Sequence, residues 1–275
     1  MPSNGLLEKA KSVAWSTWAW GSSVSWMVFN GATTMMALPI LDTRRSQYFW
    51  MQPGMALCVR LTGAKLNVIH HPDFDPARRS VFCQNHVSVI DGHIACATIP
   101  HQFCGIMNHW HFNVPGYGWI MKLANGIPVF PKKSGRTAEM TDAARDRVRR
   151  GISILAFPEA HRTLDGKIRE FKRGVFFMAR DAGIPVVPLA VRGIYELNHK
   201  GTNLFNRGTE VDVFIGPQFE TKGLSDDELD RVIAEVRQMM IDWVEDGRLP
   251  NDCPHERHEV PAWPLPSHYW QISEP

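Results

Sequence analysis

A histidine and an aspartate five residues apart, His86 and Asp91, stand where an apolar run, Val81 to Cys83, gives way to Gln84-Asn85-His86. As a bare spacing this carries almost no information, because a chain with 12 histidines meets it by chance on the order of half a time at ordinary aspartate frequency. Placement gives it meaning. Five residues turn a regular helix by about 500°, which leaves the two side chains about 140° apart. They meet only if His86 precedes the helix, at a strand exit, and Asp91 curls back from the first turns to its Nδ1–H. An imidazole backed in this way keeps its other nitrogen free to take a proton from a hydroxyl, general-base catalysis worth roughly 10²–10⁴-fold. A capping histidine beside a helix-surface aspartate is the plainer alternative.

A second apolar run, Ile152 to Phe157, also ends in chemistry: Pro158 stops it, and Glu159, His161 and Arg162 follow. An arginine at a strand exit suits bidentate capture of phosphate or carboxylate, and Glu159 is placed to orient it or to bond a substrate hydroxyl. An ordinary surface ion pair would use the same residues. Charge distribution adds weight. From Lys132 to Arg173 there are twelve Lys/Arg against six Asp/Glu, a local excess of +6 in a chain of net charge +2. Such a cluster fits either an anionic partner or a solvated helical face.

Two strand exits need a sheet to hold them. From Lys65 onward, short β-rich runs (KLNVIH, SVFCQ, QFCGIM, GIPVF, ISILAFP, IPVVPLAV, VDVFIG) alternate with helical stretches near Val89–Thr98, Tyr117–Asn125, Thr137–Arg150, Gly174–Ala182 and Ser225–Asp246. Alternation of this kind predicts an α/β fold with a mostly parallel sheet covered by helices on both faces, whose strand exits are where ligands bind. Ser225 with Glu228 predicts a capping box. Residues 65–248 form the expected α/β domain, residues 249–275 an irregular tail with several Pro and His.

The segment before it, residues 1–64, is of another kind. Ser12 to Leu41 is 30 residues without a charge, long enough to span a bilayer. It is nonetheless rich in polar residues (Ser16, Thr17, Ser22, Ser23, Ser25, Asn30, Thr33, Thr34), with Gly21, Gly31 and Pro39 as weak points and Trp15, Trp18, Trp20 and Trp26 in its first half. An interfacial or re-entrant helix fits this better than a simple span. Lys9 and Lys11 before it and Arg44 and Arg45 after it give no clear crossing direction, and both ends on the cytoplasmic side is the simplest arrangement. The stretch containing Phe49, Trp50, Met51, Met55, Leu57 and Leu61 completes an expected membrane-associated helix pair. An internal helix pair of the globular fold is the alternative.

Composition bounds the remaining classes. At 275 residues and 44% hydrophobic the chain can build a substantial core. Five cysteines without a C-x-x-C pair suggest neither a disulfide framework nor a thiolate zinc cage, which fits a reducing compartment. No zinc-finger, RNP or helix-turn-helix pattern stands out, so nucleic acid is not an expected partner. His93, His101, His109 and His111 are dense, but lack an acidic or cysteine ligand at usual spacing, and no metal is expected. His109 and His111, with Met107, Trp110 and Phe112, suit the wall of an acceptor or acyl-chain pocket instead, or core packing.

Taken in order, these elements resemble the glycerolipid acyltransferase family typified by 1-acylglycerol-3-phosphate acyltransferases. The family's N-H-x-S-x-x-D motif is matched at Asn85, His86, Ser88 and Asp91, and its F-P-E-G-T-R-S motif at Phe157, Pro158, Glu159 and Arg162. Its F-K-x-G stretch reappears as Phe171, Lys172 and Gly174, and its V-P-hydrophobic motif as Val187, Pro188 and Leu189. The resemblance covers roughly residues 67 to 217. It implies acyl transfer from a fatty acyl thioester, carried by coenzyme A or acyl carrier protein, to a lysophospholipid hydroxyl, without metal or redox cofactor. It further implies His86 as the base, Asp91 as its partner, and Asn85, Ser88, Glu159, His161, Arg162, Lys132, Lys172 and Pro188 around the substrate, on the cytoplasmic face of a membrane. Two departures bear on the acceptor. Lys132 or Lys133 stands where the family has a phosphate-binding arginine, and Ala160-His161 where it has Gly-Thr. Another lipid alcohol as acceptor, lyso-ornithine lipid among them, an acyl thioesterase, and a non-catalytic lipid-binding relative are the alternatives.

Overall fold

In a computed structural model the chain forms an eight-stranded sheet with helices on both faces. The structure describes residues 3–37, 40, 50–115, 117–253 and 256–260, without the side chains of residues 3–5 and 132. The strands are β1 (Lys65–His70), β2 (Val81–Gln84), β3 (Phe103–Asn108), β4 (Ile127–Val129), β5 (Ser153–Ala156), β6 (Val186–Arg192), β7 (Glu210–Ile215) and β8 (His258–Glu259). The helices are α1 (Ser3–Ala37), α2 (Gln52–Leu61), α3 (Asp91–Thr98), α4 (Tyr117–Leu123), α5 (Thr137–Arg149), α6 (Gly174–Ala182), α7 (Ile194–Leu197) and α8 (Asp226–Val244).

The strand order is β4-β3-β5-β2-β6-β7-β1-β8. The first five strands run parallel, β7 turns antiparallel to β6, and β1 runs parallel to β7. The mostly parallel sheet is therefore as expected, with antiparallel pairings at β6–β7 and at β1–β8. In consequence β2, β3, β4, β5 and β6 all deliver their C-terminal ends to one edge, with β2 between β5 and β6.

Strand alternation sorts the core into two layers. Along β2, Val81 and Cys83 face the layer made by α5, α6 and α8, with Phe176, Met178, Val236 and Trp243, while Phe82 faces the layer made by α1, α2 and α3, with Ala19, Val59 and Ile94. All of these are buried, and each large apolar side chain removed from water contributes roughly 1.5–3 kcal/mol. The capping box at α8 is formed: Ser225 Oγ accepts from Glu228 N, and Glu228 Oε2 accepts from Ser225 N.

Helix α1 packs with its polar residues inward. Ser16, Ala19, Ser23 and Asn30 are buried, whereas Leu6, Leu7, Val13, Trp18, Val24, Met27, Val28, Phe29, Met35 and Met36 are exposed. The small inward residues let α2 come close, and a Cβ added at Gly54 would meet the Asn30 side chain at 2.1 Å. Asn30 Nδ2 donates to Trp50 O, Trp26 Nε1 to Gly54 O and Trp50 Nε1 to Thr33 Oγ1. Here the sequence expectation divides. α2 is largely buried against α1 and α3, as an internal helix is, and of the two helices α1 is the one that exposes large apolar side chains. Among the described residues no helix is long and apolar enough to cross a membrane. Pro39, Arg44, Arg45 and Phe49 lie outside the described residues.

The tail is less irregular than expected. Residues 258 and 259 form β8, which pairs antiparallel with Val68 and Asn67 of β1, because β1 would otherwise leave its outer backbone groups unpaired. Residues 261–275 lie outside the described residues.

Candidate active site

His86 lies two residues beyond the end of β2, and α3 begins at Asp91, so the two are separated by a turn rather than by helix. That removes the 140° problem. Asp91 Oδ2 lies 2.6 Å from His86 Nδ1 and accepts the Val87 N–H at 2.8 Å, while Ser88 N donates to both carboxylate oxygens at 3.1 Å. The carboxylate is thus wrapped by the turn that leads to it. Asp91 is 1% exposed. Burial raises its carboxyl above the ordinary value, opposed by the bonds from His86, Val87 and Ser88. Both Asp91 oxygens accept backbone N–H bonds, so the carboxylate is the acceptor of the pair and Nδ1 its donor, while Nε2 has no hydrogen-bond partner among the described residues. The imidazole is 24% exposed and stacks on Phe157, ring centroids 4.2 Å apart. A neutral imidazole held in one tautomer with Nε2 open can take a proton from a bound hydroxyl.

The second strand exit supports this turn from below. Glu159 is 3% exposed and receives the His86 N–H on Oε1 at 2.8 Å and the Arg169 N–H on Oε2 at 3.0 Å. This corrects the expectation that Glu159 orients Arg162 or meets substrate. Both its oxygens are committed to backbone, and burial raises its carboxyl. The cause is a left-handed residue: Ala160 has φ 65°, and its N–H closes a turn onto Phe157 O at 3.0 Å. That turn sends Glu159 inward and leaves His161 and Arg162 toward solvent. Glycine adopts this conformation without penalty, whereas alanine pays about 1 kcal/mol.

Other expected substrate contacts are reassigned as well. Asn85 accepts the Val191 N–H at 2.8 Å and donates to Val191 O at 3.0 Å, pairing like a strand residue with β6. Ser88 Oγ donates to Asn198 Oδ1 at 2.7 Å in a buried pair. Pro188 is buried within β6 opposite Cys83 and faces Gly216 and Met239, on the side of the sheet away from Phe157, so it cannot reach the site. Lys132 lies in a short 3₁₀ turn, and its side chain is outside the described residues.

What remains for an anion is a set of cations on the long loop from β5 to α6. Arg162, Lys167, Arg169 and Lys172 lie there, and none forms an ion pair with a described residue. Several other cations of the basic stretch are matched by Glu139, Asp142 and Asp146. Beside edge strand β4 a cavity of about 540 Å³ is lined by His109, Phe112, Lys122, Phe130, Arg136 and Arg147. His109 and Phe112 thus line this cavity, which Met107, Trp110 and His111 do not, and Arg136 lies 3.5 Å over the Phe130 ring. His93, His101, His109 and His111 do not gather into a metal set. His101, for instance, is tied to Pro76 O and Ser153 Oγ. Among the described residues the grouping at ligating separation is His71, Asp73 and Asp252, at the opposite sheet edge. There His71 Nδ1 accepts the Asp73 N–H, and His71 Nε2 lies 3.4 Å from an Asp252 carboxylate oxygen.

Three positions escaped the sequence: Thr163, whose N–H donates to His86 O at 2.8 Å; Arg169, through its backbone; and Asn198. A threonine two residues past the histidine of the second cluster was a weak signal. Asn198 gave none.

The family model described as Acyltransferase matches residues 65–192. The chain is 27% identical over 162 residues to the chloroplastic 1-acyl-sn-glycerol-3-phosphate acyltransferase BAT2 of Brassica napus, covering 58% of this chain and 47% of that protein. It is 24% identical over 220 residues to the mouse 1-acyl-sn-glycerol-3-phosphate acyltransferase alpha, covering 78% and 76%. The chain thus spans about half the length of the first relative and about three quarters of the second. The crystal structure of the 1-acyl-sn-glycerophosphate acyltransferase of Thermotoga maritima has the same fold, with TM-score 0.70 at 20% identity over 86% of this chain and 97% of that one. The stretch that matches the acyltransferase family model runs from β1 through β6 and has the His86–Asp91 turn within it.

Proposed function

We propose that the protein transfers a fatty acyl group from an acyl thioester to a hydroxyl of a lysophospholipid-type acceptor, 1-acylglycerol-3-phosphate giving phosphatidate. The observation that carries the chemistry is the buried Asp91 carboxylate 2.6 Å from His86 Nδ1, with Nε2 open at the sheet edge. The acceptor hydroxyl gives its proton to Nε2 as its oxygen attacks the thioester carbonyl. Collapse of the tetrahedral species breaks the C–S bond, and the departing thiolate takes the proton back from the imidazolium. Asp91 holds the tautomer and stabilises that imidazolium.

Arg162 and Lys172 would hold the acceptor phosphate, and coenzyme A or acyl carrier protein would deliver the acyl group; no metal or redox cofactor enters the scheme. Both curated relatives above are named for the 1-acyl-sn-glycerol-3-phosphate reaction, which supports this acceptor. Helix α1 acts in this proposal as the membrane-association element, on the cytoplasmic face. Support comes from α1, which exposes Leu6, Leu7, Val13, Trp18, Val24, Met27, Val28, Phe29, Met35 and Met36.

The test is mass spectrometry of lipid products from the solubilised protein given palmitoyl-coenzyme A and a panel of lysophospholipids and lyso-ornithine lipid, with His86→Ala alongside. A diacyl product absent from the variant is the expected result, and its head group names the acceptor. Free fatty acid without acylated product would replace the proposal with a thioesterase.

A further inference from the structure

The turn that holds His86 and Asp91 is fastened on one side to a loop outside every motif of the site. Ser88, whose N–H binds the Asp91 carboxylate, donates its Oγ–H to Asn198 Oδ1 at 2.7 Å. Asn198 is 3% exposed, and its backbone N–H donates to Ile194 O at 3.0 Å. Its position is set by a tight crossing from β6 into α7 at Gly193, where φ is 84° and an added Cβ would meet Glu210 O at 2.1 Å. The Asn198 amide group faces the other way, donating to Leu204 O at 3.0 Å and Thr202 O at 3.4 Å. One side chain therefore holds the catalytic turn by its carbonyl and the 199–206 loop by its amino group.

The far side of that loop is held by α1. Phe205 N donates to Ser16 Oγ at 2.8 Å, and Trp20 Nε1 donates to Asn203 O at 2.8 Å. The Trp20 and Phe205 rings lie 5.1 Å apart, and Phe205 is buried. A connected set of hydrogen bonds thus runs from α1 through the loop, Asn198 and Ser88 to the Asp91 carboxylate. The same α1 presents Val13, Val24, Met27 and Val28 outward.

We propose that Asn198 is a positioning residue that makes the alignment of the His86–Asp91 pair depend on the seating of α1 against the 199–206 loop. It touches no substrate. It acts by fixing Ser88, whose N–H helps to aim the carboxylate, so that displacement of α1 loosens the base. This rests on His86–Asp91 being the general-base pair of the acyl transfer proposed above.

The test uses the full chain in lipid vesicles, with Asn198→Asp, Asn198→Ala and the distant Trp20→Phe. Asn198→Asp keeps an acceptor for Ser88 but sets carboxylate oxygen against the Thr202 and Leu204 carbonyls; Trp20→Phe removes one hydrogen bond and keeps the ring. Each should lower kcat roughly 2- to 30-fold, the range for coupled positions away from a ligand, with acceptor KM unchanged and the acid limb of the pH profile displaced. The Asn198→Ala and Trp20→Phe effects should combine less than additively. A readout independent of turnover is the downfield proton resonance of His86 Nδ1–H, which should shift or broaden in Asn198→Asp and Trp20→Phe. Wild-type kcat and an unmoved resonance in those two variants would overturn the proposal. So would a loss of activity that follows folded fraction alone with an unchanged pH profile. A wild-type protein that shows the resonance but makes no acylated lipid would defeat the functional reading, and the resonance alone would then decide the role of Asn198.

Discussion

Asp91 Oδ2 accepts both the His86 Nδ1–H and the Val87 N–H, so the orienting group of the base is itself oriented by the backbone next to the base. Replacing Asp91 by Asn keeps the volume and one acceptor but points an amide N–H at Nδ1. That inverts the tautomer and occupies Nε2 with the proton. Acyl transfer in Asp91→Asn should fall by roughly 10²–10⁴ with the fold retained. Steady-state rates beside a circular-dichroism melt decide it; a rate within a few-fold of wild type would remove Asp91 from the mechanism.

Glu159 ties the backbone at His86 to the backbone at Arg169. Glu159→Gln supplies one acceptor where two are used and turns an N–H against the other donor. The variant should lose about 1–3 kcal/mol of stability, the cost of an unsatisfied buried polar group, and lose activity with it. Chemical denaturation measures the first. An unchanged midpoint would show that the carboxylate does not hold the turn.

Ala160 adopts φ 65°. Ala160→Gly should therefore stabilise the protein by about 1 kcal/mol while leaving turnover near wild type. A destabilised Ala160→Gly variant would mean that the methyl group packs usefully enough to offset its backbone strain.

Arg162 is half-buried and makes no hydrogen bond or ion pair with a described residue. If it holds the acceptor phosphate, Arg162→Ala should raise acceptor KM by roughly 10- to 100-fold, the worth of a charged hydrogen bond, and leave the melting temperature in place. An unchanged KM would move the phosphate site elsewhere, with Lys172 the next residue to substitute.

Burial holds His70 and His93 down to about 4 and His101 to about 3. Such groups stay neutral when folded but take protons near pH 6.5 when unfolded. Their contribution is complete above about pH 6.5 and is lost as pH falls toward 4, on the order of 3 kcal/mol for each histidine. Asp91 and Glu159, both raised by burial, act in the opposite sense and gain as pH falls. The three histidines should dominate, so unfolding midpoints should drop between about pH 6.5 and about pH 4.5. A flat or rising curve over that range would contradict the burial of the imidazoles.

How far the sequence reached follows from the range of the interactions involved. The seven principal strands were legible because each is a short β-rich run flanked by turn residues. β8 was not, being two residues whose strand character comes only from the open side of β1. The helical angle between positions 86 and 91 located His86 before the helix, because helix geometry is local. The tasks of Glu159, Asn85 and Ser88 were misjudged because their partners lie 73, 106 and 110 residues away. No local pattern distinguishes a carboxylate that binds substrate from one that binds backbone. Likewise the polar residues of α1 argued against a simple span, yet only the packed structure shows that several of them face α2.

The two ends of the sheet have a further consequence. At one border β4 is only three residues long and carries Pro128 at its centre, which has no N–H to offer another strand. At the other, the tail's β8 covers part of β1 with a strand of two residues, His258 and Glu259, both polar. Neither border presents a long, flat ladder to a second molecule. Copies concentrated side by side are thereby discouraged from joining sheet to sheet into fibres, so the molecule tolerates crowding that would endanger a sheet with open flanks.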